Sequence, residues 1–277
     1  MKDTKTSGAA EKTPAETGAK AAAPKTAAKP VPKSQAVKTA AKDKAKAPAP
    51  KVGKDIAKAA KPAAKPADKA AASKAAVPEL KKGDYFKFGS YYQENSSKKT
   101  PIEWLVLKKS GSKVLLISRY GLDCKQYHHE LADMTWENCD LRKWLNGEFL
   151  RNAFTAAEQK KIAVTKLAND NNTQYGTFGG NGTEDRVFCL SLAEAESLFK
   201  NNEARKCVPT PYAVGKGAHK SDWYFIDGRG CCYWWLRSPG GLRNFASKVF
   251  TDGALCPLGS LVDGGSSAVR PALWVNL

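Results

Sequence analysis

The first 77 residues of this 277-residue chain contain no aromatic residue and no Leu, Arg, Cys or His. They consist mainly of Ala, Lys, Pro and Thr, and their 18 Lys against 6 acidic residues supply 12 units of the formal net charge of +18. So little apolar surface cannot offset the entropy that a chain loses on folding. We therefore expect residues 1–79 to form a disordered, basic, low-complexity tail and residues 80–277 to form one globular domain.

Long hydrophobic runs are also missing. No apolar segment follows Lys2 and Lys5, which argues against a signal peptide. No stretch of about 18 apolar residues occurs, which argues against a membrane span. The sequence therefore predicts a cytoplasmic protein.

Familiar catalytic motifs are absent as well. The chain has no Gly-x-Ser-x-Gly, no phosphate-binding loop and no His-Glu-x-x-His. No spacing brings two carboxylates together. The sequence therefore predicts no catalytic residue and no cofactor, and it favours a protein that is not an enzyme.

Histidine is scarce, with three residues in the chain: His128, His129 and His219. The first two are adjacent, and adjacent side chains point apart on any regular backbone. We therefore expect structural or solvent-facing roles for the histidines, and no metal site.

Cysteine occurs seven times, an odd number whose spacing matches neither a zinc motif nor a small disulfide scaffold. Without a signal peptide, reduced thiols packed as small hydrophobic side chains are expected. An alternative is that the vicinal pair Cys231 and Cys232, alone or together with Cys256, is redox-active or binds a metal.

The globular part begins with strand patterns and continues with helical ones. Residues 83–92 predict an opening strand, residues 102–107 and 113–118 a central hairpin, and residues 272–275 a buried closing strand. Residues 139–154 repeat apolar side chains at helical spacing, with Asn138 or Asp140 as the cap. Capping boxes at residues 155–158 and 191–194 predict two further helices. Residues 169–185 form a long Gly- and Asn-rich loop, and the order of elements is typical of an α+β fold.

Two arginines stand in tight apolar phrases near the C-terminus. Arg237 lies in WLRSPG and Arg270 in VRPALW. A buried arginine needs partners, so we expect both to tie loop carbonyls or a carboxylate within the fold.

Six phrases of the globular part form a recognisable set. They are IEWLVL (102–107), LLISRYGLDCKQYH (115–128), TWENCDLRKWLN (135–146), DRVFCLSLAEAE (185–196), WWLRSPG (234–240) and VRPALWV (269–275). Together they resemble a bacterial domain family that has no assigned activity. Its architecture is similar to the C-type-lectin-like fold of formylglycine-generating enzymes and of the variable proteins of diversity-generating retroelements.

The resemblance implies a fixed framework that carries a C-terminal surface which these retroelements can diversify. Residues 242–267 mix apolar, charged and turn-forming side chains without a period, as a surface selected for contact would. The implied function is non-catalytic binding of an unknown protein or small ligand. The framework residues would be Trp234, Trp235, Arg237, Arg270 and Trp274, and the contact residues Leu242, Arg243, Phe245, Lys248, Phe250, Leu255, Leu258 and Leu261.

Two alternatives remain open at the level of sequence. The tail resembles those of linker-histone-like proteins, so residues 1–77 could bind DNA or RNA, or another polyanion, without sequence specificity; it could equally be a spacer. A formylglycine-generating-like oxidoreductase would need two cooperating cysteines, and neither Cys231 nor Cys232 maps onto such a position.

Overall fold

A computed structural model describes residues 79–277, so the predicted tail lies outside the described residues except for Glu79. The described part has a strand-rich α+β fold, and the predicted fold class is confirmed at that level. Its strands are β1 (Tyr85–Tyr92), β2 (Lys99–Ser110), β3 (Lys113–Ser118), β4 (Asp123–Cys124), β5 (Thr165–Leu167), β6 (Thr183–Asp185), β7 (Phe225–Ile226), β8 (Arg229–Gly230), β9 (Trp234–Pro239), β10 (Phe245–Val249), β11 (Leu255–Leu261), β12 (Ala268–Val269) and β13 (Ala272–Asn276).

The helices are short and are concentrated between β4 and β7. They are α1 (Asp140–Trp144), a π-helical turn (Leu145–Phe149), α2 (Leu150–Ala153), α3 (Ala156–Lys161), α4 (Leu192–Leu198), α5 (Asn202–Arg205) and α6 (Pro211–Gly215). None of the helices in residues 79–277 is long and apolar enough to cross a membrane.

Strands β1, β2, β3 and β13 form an antiparallel sheet in that order. The predicted hairpin is β2 and β3, whose turn contains Gly111 at a φ of 58°. The predicted closing strand lies within β13 and pairs with β3. Because β2 and β3 are central, Ile102, Trp104, Val106 and Leu116 are fully buried.

A second sheet has the order β11-β10-β9-β12-β4, and all its pairings are antiparallel except that of β9 with β12. Strand β9 is its middle strand and β11 is one edge. Strands β5 and β6 form a separate ribbon, as do β7 and β8.

Both predicted capping boxes are confirmed. Thr155 and Glu158 cap α3 reciprocally, and Ser191 and Glu194 do the same for α4. The predicted cap of α1 is wrong, because Cys139 occupies the N-cap and its sulfur accepts the amide of Arg142 at 3.4 Å. The single helix predicted over residues 139–154 is instead interrupted by the π-helical turn.

Candidate functional site

Strand β9 is the framework from which the C-terminal loops extend. The indole N–H groups of Trp234 and Trp235 donate to the carbonyls of Arg205 at 3.2 Å and Lys125 at 2.9 Å. Both indoles are fully buried. Each tryptophan therefore ties a loop to the middle of the sheet while filling the core.

Arg237, also on β9, is buried and holds three separate segments together. Its guanidinium forms a two-pronged pair with Glu194, with Nη2 to Oε1 at 3.0 Å and Nη1 against Oε2. It also donates to the carbonyls of Cys189 at 3.1 Å and Ala168 at 3.3 Å. Since Glu194 is the capping-box residue of α4, one carboxylate caps the helix and pairs with the sheet.

Arg270 is also buried, and it directly follows β12, the strand that pairs with β9. It donates to the carbonyls of Ser118 and Arg205 at 3.0 Å each, and its guanidinium lies 5.0 Å from the Trp234 ring centroid. Arg205, which the sequence reasoning missed, is buried too and donates to the carbonyl of Gly253 at 2.9 Å.

Trp274 belongs to a different part of the molecule. It lies on β13 in the first sheet, where it pairs with Leu115 and lines a cleft with Val164 and Lys166. The structure therefore brings four of the five predicted framework residues into or beside β9, and leaves Trp274 apart from them.

The eight predicted contact residues separate into two groups. At the end of β10 that follows the turn from β9, Phe245 pairs with Leu261. At the opposite end, Val249 pairs with Leu255, and Phe250 begins the next turn. The first group comprises Leu242, Arg243, Phe245, Leu258 and Leu261, and the second comprises Lys248, Phe250 and Leu255.

Exposure also differs among these eight residues. Leu242, Arg243, Phe250, Leu258 and Leu261 are exposed, whereas Phe245 and Leu255 are half-buried. Lys248 is only 8% exposed, and its ammonium lies 4.3 Å from the ring centroid of Tyr233. Burial lowers the pKa of Lys248 from its ordinary value. Lys248 is thus placed within the domain and does not line an exposed surface.

The predicted long loop, residues 169–185, packs against the first group. The buried Asn172 amide donates to the carbonyls of Pro239 at 2.9 Å and Pro257 at 2.8 Å. Thr177 donates to the carbonyl of Gly241 at 3.1 Å. One asparagine therefore fixes the loop to β9 and β11 together.

Both glycines after Pro239 lie against β11, and a Cβ on Gly240 would lie 2.5 Å from the carbonyl oxygen of Leu258. Gly241 is covered by side chains instead. A Cβ at this position would lie 2.6 Å from Leu258 Cδ1 and 3.3 Å from Tyr175 Cγ. These two side chains therefore cover the turn closely, and a larger residue would displace them. Tyr175 and Phe178 of the long loop are themselves exposed.

The exposed side chains of the long loop, of the turn between β9 and β10, and of β11 are grouped here under one name, the loop face. Phe178 and Arg243 line a cleft of about 250 Å³ with Met134 and Thr135. The guanidinium of Arg243 reaches Asp133 at 4.0 Å. The loop face consists of Tyr175, Phe178, Leu242, Arg243, Leu258 and Leu261.

The sequence reasoning also missed an aromatic segment just before and within β7. Trp223 is 86% exposed, and Tyr224 and Phe225 are exposed beside it. The tripeptide Trp-Tyr-Phe ahead of the Asp-Gly turn was a readable signal, since exposed consecutive aromatic residues are common at binding surfaces.

All seven cysteines are free and buried. Burial raises the pKa of Cys231 to about 11 and raises that of Cys232 as well. Protonated, buried thiols are poor nucleophiles, so the burial of Cys231 and Cys232 does not favour catalysis by this pair.

One group of potential metal ligands converges in the part of the chain that the structure describes. His128, His129 and Asp140 each bring a ligand atom within 4.8 Å of the others. The expectation that the adjacent histidines point apart is wrong, because residues 125–139 are neither strand nor helix.

Comparison with protein families identifies the family of this chain by a match over its globular part. A family model described as "Domain of unknown function (DUF6273)" matches residues 111–277, more than half of the chain. This agrees with the resemblance to a domain family without an assigned activity. Neither the comparison with curated proteins nor that with solved structures found a match.

Proposed function

The chain belongs to the DUF6273 family, and we propose that its described part is a non-catalytic module that binds a protein partner through the loop face. The observation that carries this proposal is that buried polar side chains hold the backbone in place while neighbouring apolar side chains are exposed. Asn172 and Thr177 are buried and hold the backbone around the turn between β9 and β10, while Leu242 in that turn and Leu258 on β11 remain exposed.

Such an arrangement suits recognition for energetic reasons. Exposed leucines gain free energy when a partner removes them from water. Aromatic and arginine side chains are enriched among the residues that dominate binding energy, and the loop face supplies Tyr175, Phe178 and Arg243. A backbone already fixed by internal hydrogen bonds loses little entropy on binding.

A peptide-display selection on the full chain tests the proposal. Peptides enriched on the wild-type protein should bind the double variant Leu242→Ser/Leu258→Ser at least about tenfold more weakly, because two apolar contacts are lost. The matched control is Leu131→Ser/Val164→Ser, which removes two similarly exposed apolar residues outside the loop face. Equal binding to wild-type protein and loop-face variant, or equal loss with the control, would reject the loop face as the site.

Two finer statements belong to the same proposal. The first is that the fold is C-type-lectin-like; its support is that N-terminal strands and the last strand, β13, share one sheet. Superposition of a crystal structure on C-type-lectin domains would test it. The second is that residues 242–267 are diversified by a retroelement.

The flanking DNA tests the diversification directly. We expect a near-identical template repeat beside a reverse transcriptase gene, with differences confined to adenines of the template. Most differences should fall in codons of loop-face residues such as Leu242, Arg243 and Leu258. If the flanking DNA contains neither a template repeat nor a reverse transcriptase gene, the diversification of residues 242–267 is rejected. The proposal that the loop face binds a protein partner would not be affected.

A second function rests on composition alone. The charge of residues 1–77 favours non-specific binding of nucleic acid, with an affinity that falls steeply as salt rises. Retardation of DNA by the full chain and by a chain without residues 1–77, at two salt concentrations, measures it. Retardation that is insensitive to salt or to removal of the tail would exclude the electrostatic mechanism.

A further inference from the structure

The irregular segment between β4 and α1 turns two histidine rings toward the same side. The amide of His128 donates to the carbonyl of Val262 at 2.9 Å, and the amide of His129 donates to Asp140 Oδ2 at 3.2 Å. These bonds hold the two backbones in place, and the ring centroids lie 4.5 Å apart. The histidine pair is therefore fixed by the fold and not merely adjacent in sequence.

Both imidazoles meet a single carboxylate oxygen. Asp140 Oδ2 lies 2.9 Å from His128 Nδ1 and 2.5 Å from His129 Nδ1. Asp140 is the first residue of α1, so its position is set by the helix and by Cys139 at the N-cap. Three potential ligand atoms from two parts of the chain thus share one small volume.

One of these atoms is a buried ring nitrogen. His128 Nδ1 is buried and, among the described residues, has no hydrogen-bond partner of suitable geometry, although Asp140 Oδ2 is close. A buried polar atom without a partner is costly. A cation that accepts the Nδ1 lone pair would remove that cost.

The ligand types select the class of cation. Imidazole nitrogen with carboxylate oxygen suits Zn²⁺ and neighbouring first-row ions, whereas Ca²⁺ and Mg²⁺ prefer oxygen alone. Bonds of about 2.1 Å in tetrahedral geometry place ligand atoms roughly 3.4 Å apart. The separations from Asp140 Oδ2 would have to open by less than about 1 Å to admit such an ion.

A neighbouring carboxylate lies near the other ring nitrogen of His129. His129 Nε2 lies 3.5 Å from Glu130 Oε1. An imidazole that donates its Nε2 proton to a carboxylate leaves Nδ1 free to bind a metal, and such outer partners orient metal-binding histidines in general.

We propose that His128 Nδ1, His129 Nδ1 and Asp140 Oδ2 form a three-ligand site for a divalent ion of the zinc class. His129 and Asp140 also line a cleft of about 390 Å³ with Lys125, Trp144 and Lys216. The fourth position of the ion faces this cleft, where water or an anionic group of a ligand completes the coordination. The site adjoins β11, because His128 is bonded to Val262 directly after Leu261.

Zinc titration of the untagged full chain against a chromophoric chelator tests the site. We expect one Zn²⁺ per chain, and an affinity at least about 100-fold lower in His129→Ala and Asp140→Asn, since loss of a ligand should cost more than loss of an outer partner. Co²⁺ should give the visible absorption of a nitrogen- and oxygen-coordinated ion, without thiolate charge transfer. His219→Ala, which removes the third histidine of the chain, should bind zinc as the wild type does.

Folding is checked independently of the metal. His129 is 64% exposed in its side chain, so its replacement should leave the circular dichroism spectrum and the melting temperature of the metal-free protein unchanged. Zinc should raise the melting temperature of the wild type and not that of the folded variants. Absence of zinc binding by the wild-type chain would overturn the proposal, as would variants that are folded and bind zinc with wild-type affinity.

Discussion

Strands β9 and β11 lie in one sheet with only β10 between them, yet they differ in almost every physical respect. In β9 every residue except Ser238 is buried, whereas in β11 only Cys256 is. Strand β9 has a neighbour on each side, while β11 pairs only with β10 among the strands of residues 79–277. A residue in β9 must therefore suit the packing of the core and the hydrogen bonds of two neighbouring strands. Most residues in β11 are half-buried or exposed, so packing constrains them less.

The edge position of β11 is also protected. The register between β10 and β11 shifts between Ala246 and Lys248, and the strand contains Pro257 and Gly259. Bulges and prolines at an edge discourage pairing with another chain. A partner can therefore contact the exposed leucine side chains of β11, whereas the backbone of β11 is less suited to pairing with an added strand.

Replacing Arg237 should produce the largest effect. We expect Arg237→Ala to lower the free energy of unfolding by about 3 kcal/mol, because Glu194 and two loop carbonyls lose their donor. Denaturant unfolding measures it. The control is Arg243→Ala at an exposed position, which should change the free energy of unfolding by less than about 0.5 kcal/mol. Equal losses in the two variants would show that the buried residues of β9 are no more important for stability than the loop face.

Gly259 is the one position of β11 where we expect strict constraint. Its φ is 75°, and a Cβ would lie 2.0 Å from the carbonyl oxygen of Ala246. Gly259→Ala should cost about 2–3 kcal/mol through strain and displacement of β10.

Gly111→Ala is the matched control for Gly259. It also has a positive φ, of 58°, but nothing lies within 4 Å of its Cβ position. Backbone conformation alone should cost about 1 kcal/mol there. If the two variants unfold at the same denaturant concentration, the close approach within β11 is not a constraint.

Asn172 connects the long loop to both strands, so its replacement should have an intermediate effect. Asn172→Ala leaves the carbonyls of Pro239 and Pro257 without this donor and should cost about 1.5 kcal/mol. Hydrogen exchange should accelerate in residues 169–185 more than in β9. Gln174→Ala, a neighbouring exposed amide, should leave both measurements unchanged.

The loop face itself should show the smallest effect on stability. Leu242→Ser/Leu258→Ser should lower the free energy of unfolding by less than about 1 kcal/mol, because both side chains are exposed on the surface. Leu236→Ala on β9, which is fully buried, should cost about 2–5 kcal/mol. A thermal melt of each variant compares the two strands directly.

The parts of the fold that the sequence predicted correctly are those encoded by short-range chemistry. The β2–β3 hairpin follows from two apolar runs around a Gly turn, and the starts of α3 and α4 follow from reciprocal capping. Cys139 as a helix cap was not predictable from residue preferences, which favour Ser, Thr, Asp and Asn. The π-helical turn was hidden because its apolar spacing is close to that of an α-helix.

The candidate site was harder to predict from the sequence than the fold, because the site depends on contacts between segments that are distant in the chain. Tyr175 and Phe178 join the loop face through Asn172 and Thr177, more than 60 positions from their partners. The burial of Lys248 is not predictable from the sequence, because β10 has only five residues and its pattern does not show which side chains face the core. The convergence of His128 and His129 depends on an irregular backbone, for which sequence periodicity carries no information.

The turn at Gly111 is also where the family match begins. Strands β1 and β2 precede it, yet β2 hydrogen-bonds along β3 and buries Trp104 and Ile102. An expressed fragment trimmed to residues 111–277 would have an open β3 edge and an uncovered apolar surface, and it should aggregate. The smallest useful recombinant unit therefore starts before Tyr85, upstream of the boundary that family comparison alone would suggest.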